Sequence, residues 1–171
     1  MKWLALVLGV LVGIAAVITV VGALRPADHR ASITVRLAKP QSEVWAVVTD
    51  FTAYPQWFRE VSASERIADI DGQPAWKERF AGFEATLVQR ERVDGTRIVR
   101  EILPSGSFSG TWTYELADEG AGTRLTVTEH GHVGNPFFRG MMAFSDETRT
   151  MRLFVEALGT KLGVPVESSA P

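Results

Sequence analysis

The chain has 171 residues, which is long enough for one domain with its own core and an added segment. Its formal net charge is −2. It contains no cysteine, and this excludes disulfide bonds, thiolate metal ligands and cysteine nucleophiles. The sequence has no basic stripe of the kind that binds polyanions, so we do not expect nucleic acid as a partner.

The N-terminal segment is strongly apolar. Trp3–Leu24 carries no charge, and as an α-helix it would be roughly 33 Å long, enough to cross a hydrocarbon core of about 30 Å. We therefore predict a single-pass anchor in the cell membrane over residues 1–25, followed by a linker over residues 26–30. A cleaved signal peptide is the alternative, although its apolar region normally has only about 7–15 residues. The flanking charges leave open which side of the membrane holds the rest of the chain.

Small residues recur along one face of this apolar segment. Ala5, Gly9 and Gly13 are four residues apart, and small residues at this spacing let two membrane helices approach closely. A homodimer that forms through this face is one hypothesis. The alternative is the general abundance of small residues in membrane spans.

The next elements are a strand and two short helices. Ser32–Leu37 alternates as a strand does, and Pro40 suits the first turn of a helix. Apolar residues then recur at helical spacing over Gln41–Asp50. Pro55 breaks this run, so we predict a second short helix over Gln56–Arg59.

Six strands are predicted after the short helices. The strongest local signal is Asp94-Gly95, which is typical of a two-residue hairpin turn. A hairpin closed at this turn pairs Val93 with Thr96 and Gln89 with Arg100. The more apolar face of the hairpin then points toward the core, and Arg100 lies on that face.

A C-terminal helix completes the predicted elements. Asn135-Pro136 provides an N-cap and a first-turn proline, and apolar residues recur at every third or fourth position as far as Leu162. We predict one long amphipathic helix over Pro136–Leu162. The folded domain then spans residues 31–163, and residues 164–171 form a flexible tail. This order predicts an α+β fold in which a curved, seven-stranded antiparallel sheet wraps around the long C-terminal helix.

Four sequence stretches occur in an order that is typical of one superfamily. They are "KPQSEVWAVVTDFTAYPQW" after the first strand, "GTWTYEL", "GTRLTVTEHG", and "NPFFRGMM" at the start of the final helix. Over Ser32–Leu162 the chain resembles the START-like helix-grip superfamily, also called SRPBCC, and within it the polyketide cyclase/dehydrase and lipid-transport group. The resemblance implies a deep apolar cavity between sheet and helix. It transfers no catalytic residue, because some members are enzymes, many only bind or carry, and no catalytic motif is common to all.

Strand alternation and this resemblance together predict the residues that bind a hydrophobic ligand. They are Trp57, Phe58, Trp76, Glu78, Phe80, Phe83, Arg100, Trp112, Tyr114, Glu129, Phe138 and Met142. Trp57 and Phe58 either close the mouth of the cavity or pack the short helices on the sheet. Phe138 and Met142 lie off the main apolar stripe of the final helix, which makes them better ligand candidates than Met141.

Three of these residues form a hypothetical polar cluster. Glu78, Arg100 and Glu129 are predicted to face the apolar interior, where an unpaired charge is costly. The cluster could be a structural ion pair, could orient the polar end of a ligand, or could act in acid–base chemistry. His130 and His132 point the same way on the last strand, but no third metal ligand is indicated. We therefore predict no metal, no cofactor and no defined catalytic residue.

The function that these predictions favour is a membrane-anchored binding or carrier domain for a lipid-like small molecule. One alternative is a polyketide cyclase/dehydratase-like enzyme that uses Glu129, Arg100 or His130. Another is an interaction module whose cup is filled by its own side chains. Whether the chain is an enzyme stays open, with a binding role favoured.

Overall fold

The computed structural model describes residues 2–143 and 145–168 of the chain. Phe144, counted above in the final helix, and residues 169–171 of the predicted tail lie outside the described residues, as does Met1. The helices are α1 (Lys2–Ala23), α2 (Gln41–Thr49), a 3-10 helix (Phe51–Gln56), α3 (Pro136–Met142) and α4 (Arg149–Leu162). The strands are β1 (Asp28–Leu37), β2 (Val61–Ile70), β3 (Gln73–Phe80), β4 (Phe83–Val93), β5 (Arg97–Ser105), β6 (Phe108–Asp118), β7 (Thr123–Val133) and β8 (Val166–Ser168).

The strands form one antiparallel sheet in the order β2-β3-β4-β5-β6-β7-β1-β8. Strands β2 to β7 follow one another as a meander, and β1 pairs with β7 along its whole length. The predicted α+β helix-grip fold is confirmed: the sheet curves around the C-terminal helix α4. The described residues add an eighth strand to the seven predicted.

Helix α4 provides the centre of the core. Met151, Phe154 and Leu158 on its inner face are fully buried. The ring of Phe154 lies within about 5 to 6 Å of five other aromatic rings, those of Tyr54, Trp57, Phe58, Trp112 and Tyr114. The aromatic residues around Pro55 therefore hold the 3-10 helix segment against both the sheet and α4.

Three boundaries differ from those predicted. The second short helix is the 3-10 helix at Phe51–Gln56, and Gln56–Arg59 largely follows it. Strand β1 begins at Asp28 rather than at Ser32. Val166–Ser168, which we placed in a flexible tail, pairs with Val35–Leu37 as strand β8.

The predicted long helix over Pro136–Leu162 is interrupted and forms two helices, α3 and α4. Helix α4, which packs against the concave face of the sheet, begins only at Arg149. The carboxylate of Asp146 accepts hydrogen bonds from the backbone N–H of Thr148 and from its hydroxyl group. It also forms an ion pair with Arg152. Asp146 thus stabilises a helix start, since short polar side chains satisfy the free N–H groups there.

The β4–β5 hairpin contains a bulge that the sequence did not predict. Gln89 pairs with Arg100 as expected, but Val93 pairs with Arg97 instead of Thr96. The register shifts between Gln89 and Glu91, because one extra residue on β4 is accommodated there. Arg100 keeps its inward orientation, since it lies on the side of the bulge that retains the expected register.

Helix α1 is long and apolar enough to cross a membrane, a property that it shares with signal sequences. A Cβ atom added to Gly9 or Gly13 would have no atom within 4 Å from the other described residues, apart from the adjacent backbone of α1 itself. The dimer face of Ala5, Gly9 and Gly13 is therefore open, and its pairing stays a prediction.

Candidate functional site

A cavity of about 180 Å³ lies between the sheet and helix α4. Seven of the predicted ligand-binding residues border it. Five are aromatic: Phe58, Phe80, Phe83, Trp112 and Tyr114. The other two are Glu78 and Glu129. Glu60, which was not predicted, also borders the cavity, so the wall is largely aromatic and contains three carboxyl groups.

Three predicted residues lie behind this wall. Trp57 packs against the ring of Phe154, and Trp76 packs edge-on against Phe51. Arg100 reaches Glu78 from the neighbouring part of the sheet. These side chains support the residues that border the cavity.

Phe138 and Met142 lie elsewhere. Both are on α3, and both are exposed. The interruption of the predicted long helix separates α3 from α4, which is why these two residues do not follow the direction of the cavity-facing helix.

The cavity also has lining residues that were absent from the predicted set, among them Tyr54, Leu87, Ile102 and Phe108. Strand alternation could have found three of them, because Leu87, Ile102 and Phe108 share the inner face with residues that we selected. Tyr54 gave no such signal, since it belongs to an irregular segment. Its hydroxyl group donates a hydrogen bond of 2.7 Å to the backbone carbonyl of Val48.

The most deeply buried polar contact is an ion pair between Glu78 and Arg100. The Arg100 Nη2 atom lies 2.7 Å from Glu78 Oε1, and each side chain is only 2% exposed. The hydroxyl group of Ser64 donates a second hydrogen bond, of 3.2 Å, to the same carboxylate oxygen. Glu78 is on β3 and Arg100 on β5, so the pair bridges two strands that are separated by β4.

Aromatic rings surround the Arg100 guanidinium. Its central carbon lies 3.7 Å from the centroid of the Phe51 ring and 5.5 Å from that of Trp76. Burial lowers the pKa of Arg100, but the charge of Glu78 and the nearby tyrosines raise it by more, so the net shift is upward. Arg100 therefore stays charged. Within the described residues its Nε atom is buried without a hydrogen-bond partner.

Two buried tyrosines keep their protons. Burial raises the pKa of Tyr54 well above its usual value, and the charge of Tyr114 raises it further. Burial also raises the pKa of Tyr114, although Arg100 opposes this shift. Both side chains therefore offer neutral hydroxyl groups to the interior.

Glu129 behaves differently from Glu78. It lies opposite Trp112 in the β6–β7 ladder, and the Nε2 atom of His29 lies 4.0 Å from its Oε1 atom. The pKa of Glu129 is raised to about 7. Burial is the main cause of this rise, a hydrogen bond with the Trp112 side chain opposes it, and the charge of Glu147 adds to it. The hypothetical three-residue cluster is thus divided into a tight Glu78–Arg100 pair and a separate, titratable Glu129.

The two histidines that were considered as a metal pair, His130 and His132, lie on strand β7. His132 Nδ1 lies 2.7 Å from Asp28 Oδ1 across the β7–β1 pairing. Over residues 2–143 and 145–168, no three His, Asp or Glu side chains come together as metal ligands would.

The burial of the ion pair leads to a prediction for Glu78→Gln. This variant leaves the Arg100 charge unpaired in the interior, and loss of one partner of a buried pair costs about 3–5 kcal/mol. We expect the free energy of unfolding to fall by this amount, measured by chemical denaturation of the full chain in detergent with tryptophan fluorescence. Glu84→Gln is the matched control, because Glu84 pairs with Lys77 at the surface, where solvent screens the charges and ion pairs contribute little to stability. Equal losses in the two variants would contradict the assigned role of the pair.

Solved structures with the same fold come from several kinds of protein. A START superfamily protein from Mycobacterium smegmatis is 20% identical, with a TM-score of 0.62, over 79% of this chain and 97% of that chain. The Zhui aromatase/cyclase from Streptomyces sp. R1128 is 18% identical, with a TM-score of 0.66, over 80% of this chain and 94% of that one. Norcoclaurine synthase from Thalictrum flavum is 12% identical, with a TM-score of 0.63, over 79% of this chain and 93% of that one. At these identities the likeness shows the fold alone.

Sequence comparison identifies the family. No curated protein sequence matches the chain. Residues 28–163 match the family described as "Polyketide cyclase / dehydrase and lipid transport", a segment that covers strands β1 to β7 and both C-terminal helices. The fold and the apolar cavity are consistent with a domain that binds a hydrophobic small molecule. The chain belongs to the polyketide cyclase/dehydrase and lipid-transport family.

Proposed function

We propose that the protein is a membrane-anchored binding or carrier domain for a small hydrophobic molecule. The observation that carries this proposal is the cavity between sheet and α4, which aromatic side chains line. Concave, mostly apolar sites with a few polar groups are typical of small-molecule binding. The empty space argues against the alternative in which the protein's own side chains fill the cup.

The size of the cavity restricts the ligand. An apolar cavity of about 150 Å³ accommodates a molecule the size of benzene. The cavity here measures about 180 Å³, so it can enclose one ring or a short segment of an acyl chain. The rest of a larger ligand would extend through the mouth beside Phe83, which is half-exposed.

The polar groups of the wall restrict the ligand further. The charge of Glu78 is neutralised by Arg100, so the inner end of the cavity does not favour a charged ligand group. Glu129 is protonated below a pH of about 7 and can then donate a hydrogen bond to a ligand oxygen. A neutral molecule with an apolar body and one hydroxyl or carbonyl group fits these surroundings best.

A second candidate function is acid–base catalysis. It is favoured by Glu129, because a cavity-facing carboxyl group with a pKa of about 7 can both give and accept a proton near neutral pH. The fate of the bound compound separates the two functions. A carrier releases the compound unchanged, whereas an enzyme converts it, and replacing the carboxyl group in Glu129→Gln would stop that conversion.

Filling the cavity provides the first test. Ile102 borders the cavity, so Ile102→Phe should occupy part of its space and weaken the binding of a naphthalene-type fluorescent probe by about tenfold, or about 1.4 kcal/mol. The measurement is a titration of the full chain in phosphatidylcholine nanodiscs, with mass spectrometry of organic extracts to identify any natural ligand.

Val99→Phe is the matched control for this test. Val99 belongs to the same strand, three residues from Ile102, and so points to the opposite face of the sheet. We expect it to leave probe binding unchanged. Equal affinity of wild type and Ile102→Phe, with both folded, would argue against the cavity as the binding site.

The pKa of Glu129 predicts a pH-dependent stability. Because its pKa is raised in the folded state, the folded protein binds more protons than the unfolded chain between pH 4.5 and about 7, so stability falls as pH rises through this range. In Glu129→Gln this loss is absent. The free energy of unfolding of the variant, relative to that of wild type, should therefore be higher at pH 8 than at pH 4 by on the order of 3 kcal/mol. Denaturation of both proteins at the two pH values measures the gain, and a constant difference would show that Glu129 titrates normally.

A further inference from the structure

The mouth of the cavity and the membrane helix lie at the same end of the sheet. In the antiparallel meander, the end of β3 meets the start of β4 at Phe80 and Phe83, which both border the cavity. The start of β6 at Phe108 pairs with the end of β7, and that end pairs with the start of β1 at Asp28. Since α1 leads directly into β1, it approaches the domain where the cavity opens.

Helix α1 is packed against the domain and does not hang from a free linker. A Cβ atom added to Gly22 would lie 1.8 Å from the carbonyl oxygen of Pro136, and one added to Gly140 would lie 1.9 Å from that of Ile18. The backbones of α1 and α3 therefore touch, which only glycine permits at these two positions.

Arg139 fixes this contact with hydrogen bonds. Its Nε atom donates a hydrogen bond of 2.9 Å to the carbonyl of Gly22, which also accepts one of 3.2 Å from the backbone N–H of Arg25. Its Nη1 atom donates another, of 3.0 Å, to the carbonyl of Val133 at the end of β7. One side chain thus joins the last turn of α1 to the sheet. Removal of α1 as a signal peptide would leave Arg139 and Gly140 without these partners.

The rest of α3 exposes large apolar side chains. Phe138 is 51% exposed and Met141 is 52% exposed, and Met142 lies beside them. The charged residues nearby are of both signs, with Arg25 and Arg139 close to Asp28 and Glu147 around one surface depression. An apolar surface without a basic excess suits the interface of a neutral bilayer better than an anionic surface.

We propose that α3 lies in the membrane interface beside the exit of α1 and that the cavity opens toward the bilayer, from which it takes its ligand. This inference depends on the proposed function in one respect, that α1 is a retained anchor. Because α3 packs against the C-terminal end of α1, its apolar face lies beside the point where α1 leaves the bilayer. We therefore expect this face to contact the headgroup and upper acyl region of a phosphatidylcholine bilayer. The hydrophobic ligand then passes from lipid to cavity without crossing water.

The absence of cysteine from the chain makes a direct test available. Phe138→Cys and Met141→Cys place single fluorescent labels on α3, and Val93→Cys places one at the far end of β4. Val93 is also 51% exposed, and it lies roughly 30 Å from Phe83 along the strand. The full chain is reconstituted in phosphatidylcholine vesicles with a quencher attached to the lipid just below the headgroup.

The labels on α3 should be quenched at least about twofold more than the label at position 93, since interfacial apolar faces lie about 5–10 Å below the headgroups. Equal quenching at the three positions would overturn the proposal. An intact mass that lacks the N-terminal segment would overturn it as well.

Ligand binding is measured on the same preparations, which separates this inference from the proposed function. Stronger quenching on α3 together with probe binding that Ile102→Phe does not weaken would support the orientation and refute the binding function. Equal quenching together with probe binding that Ile102→Phe does weaken would refute the orientation and support the function.

Discussion

The fold depends on neutralising one charge, that of Arg100, inside the sheet. Glu78 and Arg100 belong to β3 and β5, and their side chains meet across the inner face of β4. Neighbouring strands are about 4.8 Å apart, so this contact requires long side chains and a concave surface. The ring of Phe51 covers the guanidinium and thereby joins the 3-10 helix to the same point. One buried pair thus links two strands of the curved sheet to the 3-10 helix and leaves the inner end of the cup without a net charge.

Neutralisation of Arg100 leaves Glu129 as the chemically adaptable group of the cavity wall. Glu78 is committed to its arginine, whereas Glu129 has only a distant contact with His29 and an indole neighbour. A carboxyl group in such surroundings can recognise a ligand oxygen or transfer a proton. The same wall is therefore compatible with either of the two proposed functions, and the fold alone does not decide between them.

Local patterns in the sequence predicted most of the fold, but events that depend on tertiary contacts were missed. Alternation placed Glu78 and Arg100 on the inner face correctly, because side chains alternate strictly along a regular strand. It could not reveal the bulge between Gln89 and Glu91, since the extra residue leaves no mark in the pattern. Apolar spacing continued across the interruption before Arg149, and there the capping signal of Asp146 was overlooked. Phe138 was assigned to the cavity because the packing of α3 on α1 has no sequence signature.

The short strand β8 has a consequence for how copies of this protein meet one another. The free edge of a sheet offers unpaired backbone groups to other chains, and pairing along such edges leads to aggregation. Strand β8 covers the part of β1 at Val35–Leu37. The opposite edge, β2, has register shifts at both ends, near Val61 and near Ile70, which shorten its regular stretch. Both edges of the sheet therefore offer a shorter regular stretch for pairing with a second copy, which would matter most if the proposed anchor confines the copies to the plane of a membrane.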